Sequence, residues 1–284
     1  MLVIIGAVVV VACVFGGFML EGGHLGVLIQ PIELLIIFGA AGGSLLISAP
    51  VPVIKQIIHQ VVVAMGSSGA TKQSYTDILL LLFELTKTAK GNMLALEAHV
   101  EKPENSDIFK KYPSVLKNHH AIHFICDTLK VQISSPVSPF DLDDLMEADI
   151  QAAHDEELKA PGIVSKVGDA MPGLGIVAAV LGVVITMGKL TMGKEVIGHS
   201  VAAALVGTFI GILASYGFLQ PLSTKMEADI AAGGKVMYVI KAALLAFAKD
   251  CSPKVCVEFA RRTIPPEVRP SFEEVDKATA NIKK

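Results

Sequence analysis

Two long apolar segments of this sequence carry hydroxyl groups but no acid or base in their interiors. The first, "DAMPGLGIVAAVLGVVITMG", begins at Asp169 and reaches Gly188 without another charge. The second, "SVAAALVGTFIGILASYGFLQPLST", contains Thr208 and Tyr216. A hydroxyl inside a membrane can satisfy itself on its own helix backbone. Neither segment therefore offers a strong general acid or base by itself.

Two other groupings resemble known site motifs and fail on their details. "GKLTMGKE" has P-loop spacing at Gly188, Gly193 and Lys194, but glutamate follows the lysine and no strand precedes it. "HHAIH" places His119 and His123 one helical turn apart, yet no second cluster of zinc ligands follows. We interpret these histidines as polar residues on a helix surface. The sequence predicts no metal, no cofactor, no nucleic-acid binding and no enzymatic activity.

Composition indicates a membrane protein. Of the 284 residues 52% are hydrophobic, and the mean hydropathy is +0.58, which is high for a soluble chain. Spanning helices need about 20 apolar residues, and uncharged windows of that length with interior glycines are unusual in soluble cores. The four windows that qualify are Leu2–Leu20, Leu34–Ile54, Ala170–Gly188 and Ser200–Thr224. A cleaved signal peptide is the alternative for the first window, but no basic residue precedes it.

The lysines and arginines predict the orientation. Residues 51–168 hold eleven of the 24 basic residues and residues 222–284 hold another eleven, while the loop joining the first two windows has none. Basic segments stay in the cytoplasm, so we expect both large polar regions and both termini there. Free thiols fit a reducing compartment, and none of the cysteines has CxxC spacing. They are Cys13, Cys126, Cys251 and Cys256.

This topology predicts an all-α membrane protein with a large cytoplasmic helical region between spans 2 and 3 and a helical cytoplasmic tail. The predicted parts are 1–54 for spans 1 and 2, 55–168 for the cytoplasmic domain, 169–224 for spans 3 and 4, and 225–284 for the C-terminal helices, with a short periplasmic loop inside each pair of spans. Within the cytoplasmic domain an acidic amphipathic helix follows Pro139. Its apolar side is predicted to hold Phe140, Leu142, Leu145, Met146 and Ile150. The tail segment "KVMYVIKAALLAFAK" predicts a helix packed on its neighbours that could continue the fourth span.

Small residues recur along the predicted spans. Such stripes let helix backbones approach closely, and ordinary packing within the subunit accounts for part of them. The stripe residues are Ala203, Gly207, Gly211 and Ser215 on the fourth span, Gly175, Ala179 and Gly182 on the third, and Gly39 and Gly43 on the second. Packing does not explain Pro172 and Pro221, each near the predicted cytoplasmic end of a span. A missing backbone hydrogen bond at each proline allows a hinge there.

The chain resembles the MotA family of flagellar motor stator subunits, within the wider MotA/TolQ/ExbB group. The resemblance lies in "VFGGFMLEGGHLGVLIQPIELLIIFGA", "MPGLGIVAAVLGVV", "ALVGTFIGILASYGFLQPL" and "RPSFEEVDKA", and it covers nearly the whole chain in the same order. ExbB and TolQ have three spans, so the two-plus-two arrangement favours MotA. The resemblance implies a homopentamer in the bacterial inner membrane around a dimer of MotB, a single-span partner that carries the titratable aspartate.

The resemblance also implies roles for residues of this chain. Ala179, Thr208 and Tyr216 would line the ion path beside the MotB aspartate, and Pro172 and Pro221 would couple protonation to helix movement. Sodium-driven relatives carry threonine at the position of Ala179, so a proton is the expected coupling ion.

Torque would leave through charged residues that contact the rotor protein FliG. Glu97 matches the family's acidic residue, whereas Lys90 matches its basic residue only with a one-residue gap and replaces the more frequent arginine. The alternatives are a solvated helix face at these residues and, for the protein, an ExbB- or TolQ-like energising subunit of another proton-driven complex, a substrate transporter or a passive membrane scaffold.

Overall fold

The computed structural model describes residues 2–66, 69–188 and 194–282, without the side chains of residues 194–196 and 199. Over these residues the chain forms helices and turns and contains no strand. The P-loop-like spacing therefore has its central part, residues 189–193, outside the described residues.

The helices follow one another with short connections. They are α1 (Leu2–Leu20), α2 (Pro31–Ser48), α3 (Val51–Met65), α4 (Lys72–Gly91), α5 (Met93–Glu101), α6 (Pro113–Leu116), α7 (His119–Ser134), α8 (Pro139–Met187), α9 (Lys194–Ala214), a π-helix (Ser215–Leu219), α10 (Gln220–Ala248), α11 (Pro253–Thr263) and α12 (Phe272–Asn281). Single 3-10 turns lie at Leu25–Leu28, Pro103–Asn105, Phe109–Lys111 and Pro266–Val268. The all-α fold expected from the sequence is confirmed.

Four helical segments of the described chain are long and apolar enough to cross a membrane. They are Leu2–Leu20, Leu25–Ser48, Pro139–Met187 and Ser200–Ala248. The last two are longer than any bilayer requires, so only part of each can lie in hydrocarbon. The tail segment around Lys241 thus continues the helix of the predicted fourth span. The number of spans and the side that each polar region faces stay predictions.

The second predicted window ends earlier than its composition suggested. Helix α2 stops at Ser48, Ala49 has an extended backbone (φ −122°, ψ 128°), and a new helix begins at Val51. Proline at 50 disfavours helical geometry in the residue before it, which accounts for the break. Charge counting could not find this boundary, because the next charge after Glu33 is Lys55.

The chain divides into two compact units. The first comprises Met1–Ser68 and Glu156–Asp229, and the second comprises Gly69–Asp155 and Ile230–Lys284. In the first unit, α1 packs on α3 and on the π-helix, and α2 packs on α9. The rings of Phe15 and Phe209 meet edge to face with centroids 6.4 Å apart. An apolar cavity of about 740 Å³ lies between these helices, lined in part by Phe15, Phe38 and Phe218.

Pro161 lies inside α8 and leaves a carbonyl of its own helix without an N–H donor. That carbonyl is the one of Glu157, four residues earlier. The side-chain amide of Gln60 donates to the Glu157 carbonyl oxygen at 3.0 Å, and Gln56 donates to that of Glu156 at 3.2 Å. Gln60 therefore supplies the donor that Pro161 lacks, and Gln56 bonds to the carbonyl one residue earlier.

The second unit has a large apolar core built from α4, α5, α7, α11 and their neighbours. Helix α4 packs on α5, α11 and α12, and α7 packs on α5. Leu79, Leu82, Phe109, Ile125 and Leu129 are buried almost completely. Side chains of Thr71, Asn92, Asn118 and Ser271 cap the N-termini of α4, α5, α7 and α12. These caps supply acceptors for backbone N–H groups that a helix leaves unpaired.

The acidic helix after Pro139 buries a narrower face than predicted. Leu142, Met146 and Ile150 are buried at the expected four-residue spacing, but Phe140 is 74% exposed and Leu145 is 45% exposed. The three buried residues lie along one stripe of the helix. Assigning Phe140 and Leu145 to that side was therefore wrong.

Candidate functional site

The third and fourth spanning segments meet along a seam of glycines in the first unit. A Cβ atom built on Gly175 would lie 2.7 Å from the carbonyl oxygen of Gly207, and one on Gly211 would lie 2.5 Å from that of Met171. Both distances are shorter than a van der Waals contact. The helices approach here backbone to backbone, which only glycine permits.

The same seam brings two of the expected ion-path residues to opposite sides of one contact. A Cβ on Gly207 would lie 3.6 Å from the backbone nitrogen of Ala179, and a Cβ on Gly175 would lie 3.1 Å from the Cα of Thr208. Ala179 and Thr208 are both half-buried. The hydroxyl of Thr208 makes no hydrogen bond to any described residue of this chain.

Further along the seam the contact differs from the stripe read in the sequence. A Cβ on Gly182 would lie 2.9 Å from the Cβ of Ala204, which is buried, whereas Ala203 is only half-buried. Gly39 and Gly43 have nothing within 4 Å of a Cβ on either residue. Among the described residues, the GxxxG spacing of α2 is therefore not used in a helix contact.

A π-helix at Ser215–Leu219 interrupts the fourth spanning segment. Such segments are rare and occur often at functional sites. Ser215 is fully buried, and its hydroxyl has no hydrogen-bond partner among the described residues. Tyr216 is 68% exposed on the surface of the chain. The four-residue spacing predicted only a packing role for Ser215, and no periodicity in the sequence signals a π-helix.

Hydroxyls on the two segments are thus of two kinds. Thr186 on α8 is buried and donates to the carbonyl oxygen of Gly182 at 2.7 Å, one turn earlier in its own helix. Thr208 and Ser215 make no such bond among the described residues, and their seven-residue spacing puts them on one side of the helix up to the π-helix. Hydroxyl groups carry no charge, so these described polar groups along the seam are neutral.

The side chain of Gln220 bonds to residues of α8 that lie three and seven positions before Pro172. Gln220 precedes Pro221 directly, and its amide nitrogen donates to the Oδ1 of Asp169 at 2.7 Å and to the carbonyl oxygen of Ser165 at 3.2 Å. The hydroxyl of Ser165 donates to the amide oxygen of Gln220 at 3.3 Å. Ser223, two residues beyond Pro221, donates to the carbonyl oxygen of Pro161 at 2.9 Å.

The expected rotor-contact residues lie at the surface of the second unit, in different environments. Glu97 is an exposed residue of α5. Lys90 donates to the backbone carbonyl of Asp250 at 2.8 Å and to its carboxylate at 2.7 Å, where Asp250 has a positive φ of 60° just after α10. Lys90 thus closes the C-terminal end of a helix. Lys87, one turn earlier on α4, is exposed and forms no ion pair with described residues.

The histidines of α7 do not assemble a metal site. His119 and His123 are exposed while Cys126 is buried. Burial raises the pKa of the Cys126 thiol to about 12, which keeps it protonated. Over the described residues, no group of three or more His, Cys, Asp or Glu side chains could hold a metal ion.

The geometry defines a class of protein, an all-helical chain with apolar spanning segments and a tightly packed, uncharged glycine seam. Two family models match it, "Motility protein A N-terminal" over residues 4–92 and "MotA/TolQ/ExbB proton channel family" over residues 117–237. The chain belongs to the MotA/TolQ/ExbB proton channel family, on the branch of motility protein A.

Full-length relatives agree with this assignment. The chain is 38% identical to Motility protein A of Escherichia coli strain K12 over 285 aligned positions, covering 100% of this chain and 96% of the relative. It is 37% identical to Chemotaxis protein LafT of Vibrio parahaemolyticus, covering 96% of each. The resemblance drawn from the sequence is confirmed.

Solved structures share the fold. The C. jejuni MotAB structure matches with a TM-score of 0.76 at 20% identity, over 95% of this chain and 98% of that one. The flagellar MotAB stator complex of Bacillus subtilis matches with a TM-score of 0.74 at 22% identity, over 94% and 96%.

Proposed function

We propose that this chain is the stator subunit that, together with MotB, conducts a coupling ion across the inner membrane and converts its motive force into torque on the flagellar rotor. The observation that carries the proposal is the uncharged seam between the third and fourth spanning segments. It places Ala179 against Gly207 and Thr208 against Gly175, and the described residues of the seam supply no carboxylate. An ion path along such a seam needs a titratable group from a partner.

The partner's group is an aspartate on the single membrane helix of MotB. A carboxylate held against Ala179, Thr208 and Tyr216 would lose water, which disfavours its charged form and favours proton binding. Moving one charge through 100 mV is worth about 2.3 kcal/mol. Tyr216 is exposed, and the hydroxyl of Thr208 has no hydrogen-bond partner among the residues that the structure describes, so both groups can meet such a partner.

Protonation must then change the shape of the subunit. Pro172 and Pro221 each remove a backbone hydrogen bond from a long helix, so bending there is less costly than elsewhere. The π-helix immediately before Pro221 supports the same conclusion, because its hydrogen-bond ladder is already displaced. The two prolines are the proposed hinges between proton binding and movement.

The direct test is complementation. Expressed with its own MotB in a strain lacking both stator genes, the chain should restore a swimming ring in soft agar. The purified complex should contain more copies of this chain than of MotB, in a ratio that fits a pentamer around a dimer. A chain that reaches the membrane and never copurifies with MotB would instead favour a scaffold or an ExbB-like role.

We propose proton coupling, because Ala179 offers a methyl group where a sodium site would want another oxygen ligand. Swimming speed should follow proton-motive force, collapse with a protonophore and persist in sodium-free medium. Thr208→Ala, which removes a hydroxyl from the fourth spanning segment at the seam, should slow swimming, and Ala203→Ser serves as a control hydroxyl change away from the closest contacts. Speed that tracks external sodium at constant proton-motive force would contradict this.

Torque is proposed to pass from Glu97, and less directly from Lys90, to charged residues of FliG. Exposed charges orient an encounter more than they add affinity. Glu97→Lys should impair swimming while MotB still copurifies, and a matching charge reversal on FliG should partly restore it. Normal swimming of Glu97→Lys would remove this surface from the contact.

Two lysines, Lys90 and Lys87, are compared as the basic residue that contacts FliG. Lys90→Glu removes the bond to Asp250 as well as the charge, whereas Lys87→Glu changes an exposed charge that has no ion pair among the described residues. If Lys90 carries the contact, Lys90→Glu should be rescued by a charge reversal on FliG and Lys87→Glu should be nearly silent. The opposite pattern would transfer the role to Lys87.

Both termini and both polar regions are proposed to be cytoplasmic. Single cysteines are best introduced where the structure leaves space: Gly26 and Gly198 have nothing within 4 Å of an added Cβ. Gly26→Cys and Gly198→Cys should react with an impermeant thiol reagent in whole cells, and Lys117→Cys and Ala280→Cys should not. The reverse labelling pattern would invert the orientation.

A further inference from the structure

The side chain of Gln220 bonds to α8 through both ends of its amide, just before Pro172 on one helix and just before Pro221 on the other. Its nitrogen reaches Asp169 and the carbonyl of Ser165, and its oxygen accepts from the Ser165 hydroxyl. Three hydrogen bonds thus join one side chain of α10 to two successive turns of α8. We refer to Ser165, Asp169 and Gln220 together as the glutamine clasp.

The backbone around the clasp is shaped to admit it. A Cβ on Gly168 would lie 3.1 Å from the amide nitrogen of Gln220 and 3.3 Å from the Cβ of Leu219. Gly168 is buried beneath the amide. A larger residue at this position would push Gln220 away from its acceptors, so the glycine and the glutamine form one fitted contact.

The clasp reaches within one turn of a proline on each helix. Asp169 precedes Pro172 by three residues, less than one turn, and Gln220 lies between the π-helix and Pro221. Each proline lacks one backbone hydrogen bond. The side-chain bonds of the clasp link the segment just before Pro172 to the residue just before Pro221. Bending at one proline is then transmitted to the other.

We propose that Gln220 is a positioning residue of the stator cycle: it makes the hinges at Pro172 and Pro221 move as a pair. Gln220 itself touches neither the ion nor the rotor. The inference rests on the proposed stator function, since a hinge has a role only in a subunit that moves. Without the clasp each hinge would respond to protonation separately. A smaller fraction of the conducted ions would then produce a step of the rotor.

The chemistry of the clasp allows a charge-exchange test. Gln220→Glu sets a carboxylate against the carboxylate of Asp169, and like charges at hydrogen-bond distance repel. Asp169→Asn in the same chain restores a donor opposite an acceptor, with the two roles exchanged. A residue that merely fills space would not be rescued by this second change.

The experiment measures swimming speed in the stator deletion strain, with copurified MotB as the check on assembly. We expect Gln220→Ala and Gly168→Ala to swim slower than the parent by about threefold, the size of a population shift when an ordinary hydrogen bond is lost. Gln220→Glu should be slower still, and Gln220→Glu/Asp169→Asn should recover most of the parent speed. Gly173→Ala, where an added Cβ meets nothing within 4 Å in this chain, is the matched control for Gly168→Ala.

Three results would overturn the proposal while leaving the stator function intact: parent speed for Gln220→Glu, no recovery in the double variant, or a loss of speed explained by a proportional loss of MotB. Failure of the parent chain to restore swimming would instead reject the proposed function itself. The two failures are therefore distinguished by the parent strain alone.

Discussion

The two units of this chain reach close packing by opposite means. In the first unit, α8 and α9 meet where side chains are missing, at Gly175, Gly207 and Gly211, while large apolar residues such as Ile176 and Val184 point outward. In the second unit, large side chains fill the interior. Leu79, Leu82 and Phe109 have 0% of their surface exposed.

The difference follows from the solvent that each unit must suit. In water, burying apolar surface is the main favourable contribution to folding. Lipid tails are as apolar as leucine, so burying leucine between helices gains little there, and close backbone contact takes its place. The contrast indicates that substitutions which enlarge a residue will damage the first unit, and substitutions which shrink one will damage the second.

The largest expected effect of this kind is at Phe109. Phe109→Ala should lower the free energy of unfolding of the second unit by about 3–5 kcal/mol, since a buried aromatic is lost and a cavity remains. The measurement is hydrogen exchange of the α4 and α7 amides in the purified full chain. Phe140→Ala, at a residue that is 74% exposed, is the matched control. Equal loss in both variants would contradict the assigned core.

Gly211→Ala should come next. The new methyl group would lie 2.5 Å from the carbonyl oxygen of Met171, a backbone atom that cannot turn aside. Forcing such a group into a packed contact costs about 1–3 kcal/mol. The thermal midpoint of the detergent-purified chain should fall for Gly211→Ala and remain unchanged for Gly162→Ala, which has open space. An unchanged midpoint for Gly211→Ala would mean that the seam is looser than described.

The smallest effect concerns pH and belongs to the second unit. Hydrogen bonds from Arg261, with further help from Arg262, lower the pKa of Glu258 to about 2. An unfolded glutamate titrates near 4.3. Because the folded pKa is the lower one, the carboxylate stabilises the fold above about pH 4.3, and that contribution disappears as the pH falls toward 2.

Replacing Glu258 should therefore flatten this part of the stability curve. Between about pH 5 and 3, Glu258→Gln should lose less stability than the parent, by a modest amount because Arg262 is exposed to solvent. The readout is exchange of the α11 amides. Glu273→Gln, at an exposed acid of α12, should leave the slope as in the parent. A slope equally steep in Glu258→Gln would assign the acid sensitivity to another carboxylate.

Much of this architecture could be predicted from the sequence, because helices in lipid must lack charges and pack through small residues. Absence of charge located the apolar helices, and small residues at four-residue spacing located Gly207 and Gly211. The same reasoning failed where the backbone determines the structure. It predicted that the second window continues through Ala49, where the helix ends, and it predicted Ala203 in the stripe, whereas Ala204 contacts Gly182.

The contacts of the glutamine clasp were beyond sequence reasoning for a different reason. Gln220 and Asp169 lie 51 positions apart in the chain, and their meeting depends on the phase of two long helices. The π-helix shifts that phase. Burial of Leu142 without Leu145 likewise depends on which neighbour covers the acidic helix, and periodicity alone does not give its width.

The π-helix has one more consequence, which concerns chain length. A π-turn holds about one residue more than an α-turn, so Ser215–Leu219 behaves as a one-residue insertion absorbed without breaking the helix. Deleting a single residue there would leave a continuous α-helix in which every later side chain keeps nearly its present direction, because the π-turn has already absorbed the extra residue. Deleting a residue from the regular helix before it, such as Ile212, would instead turn Gln220 by about 100° about the axis and away from Asp169. A deletion within Ser215–Leu219 should thus keep the contacts of Gln220, whereas a deletion of Ile212 should assemble as a membrane protein and fail as a motor.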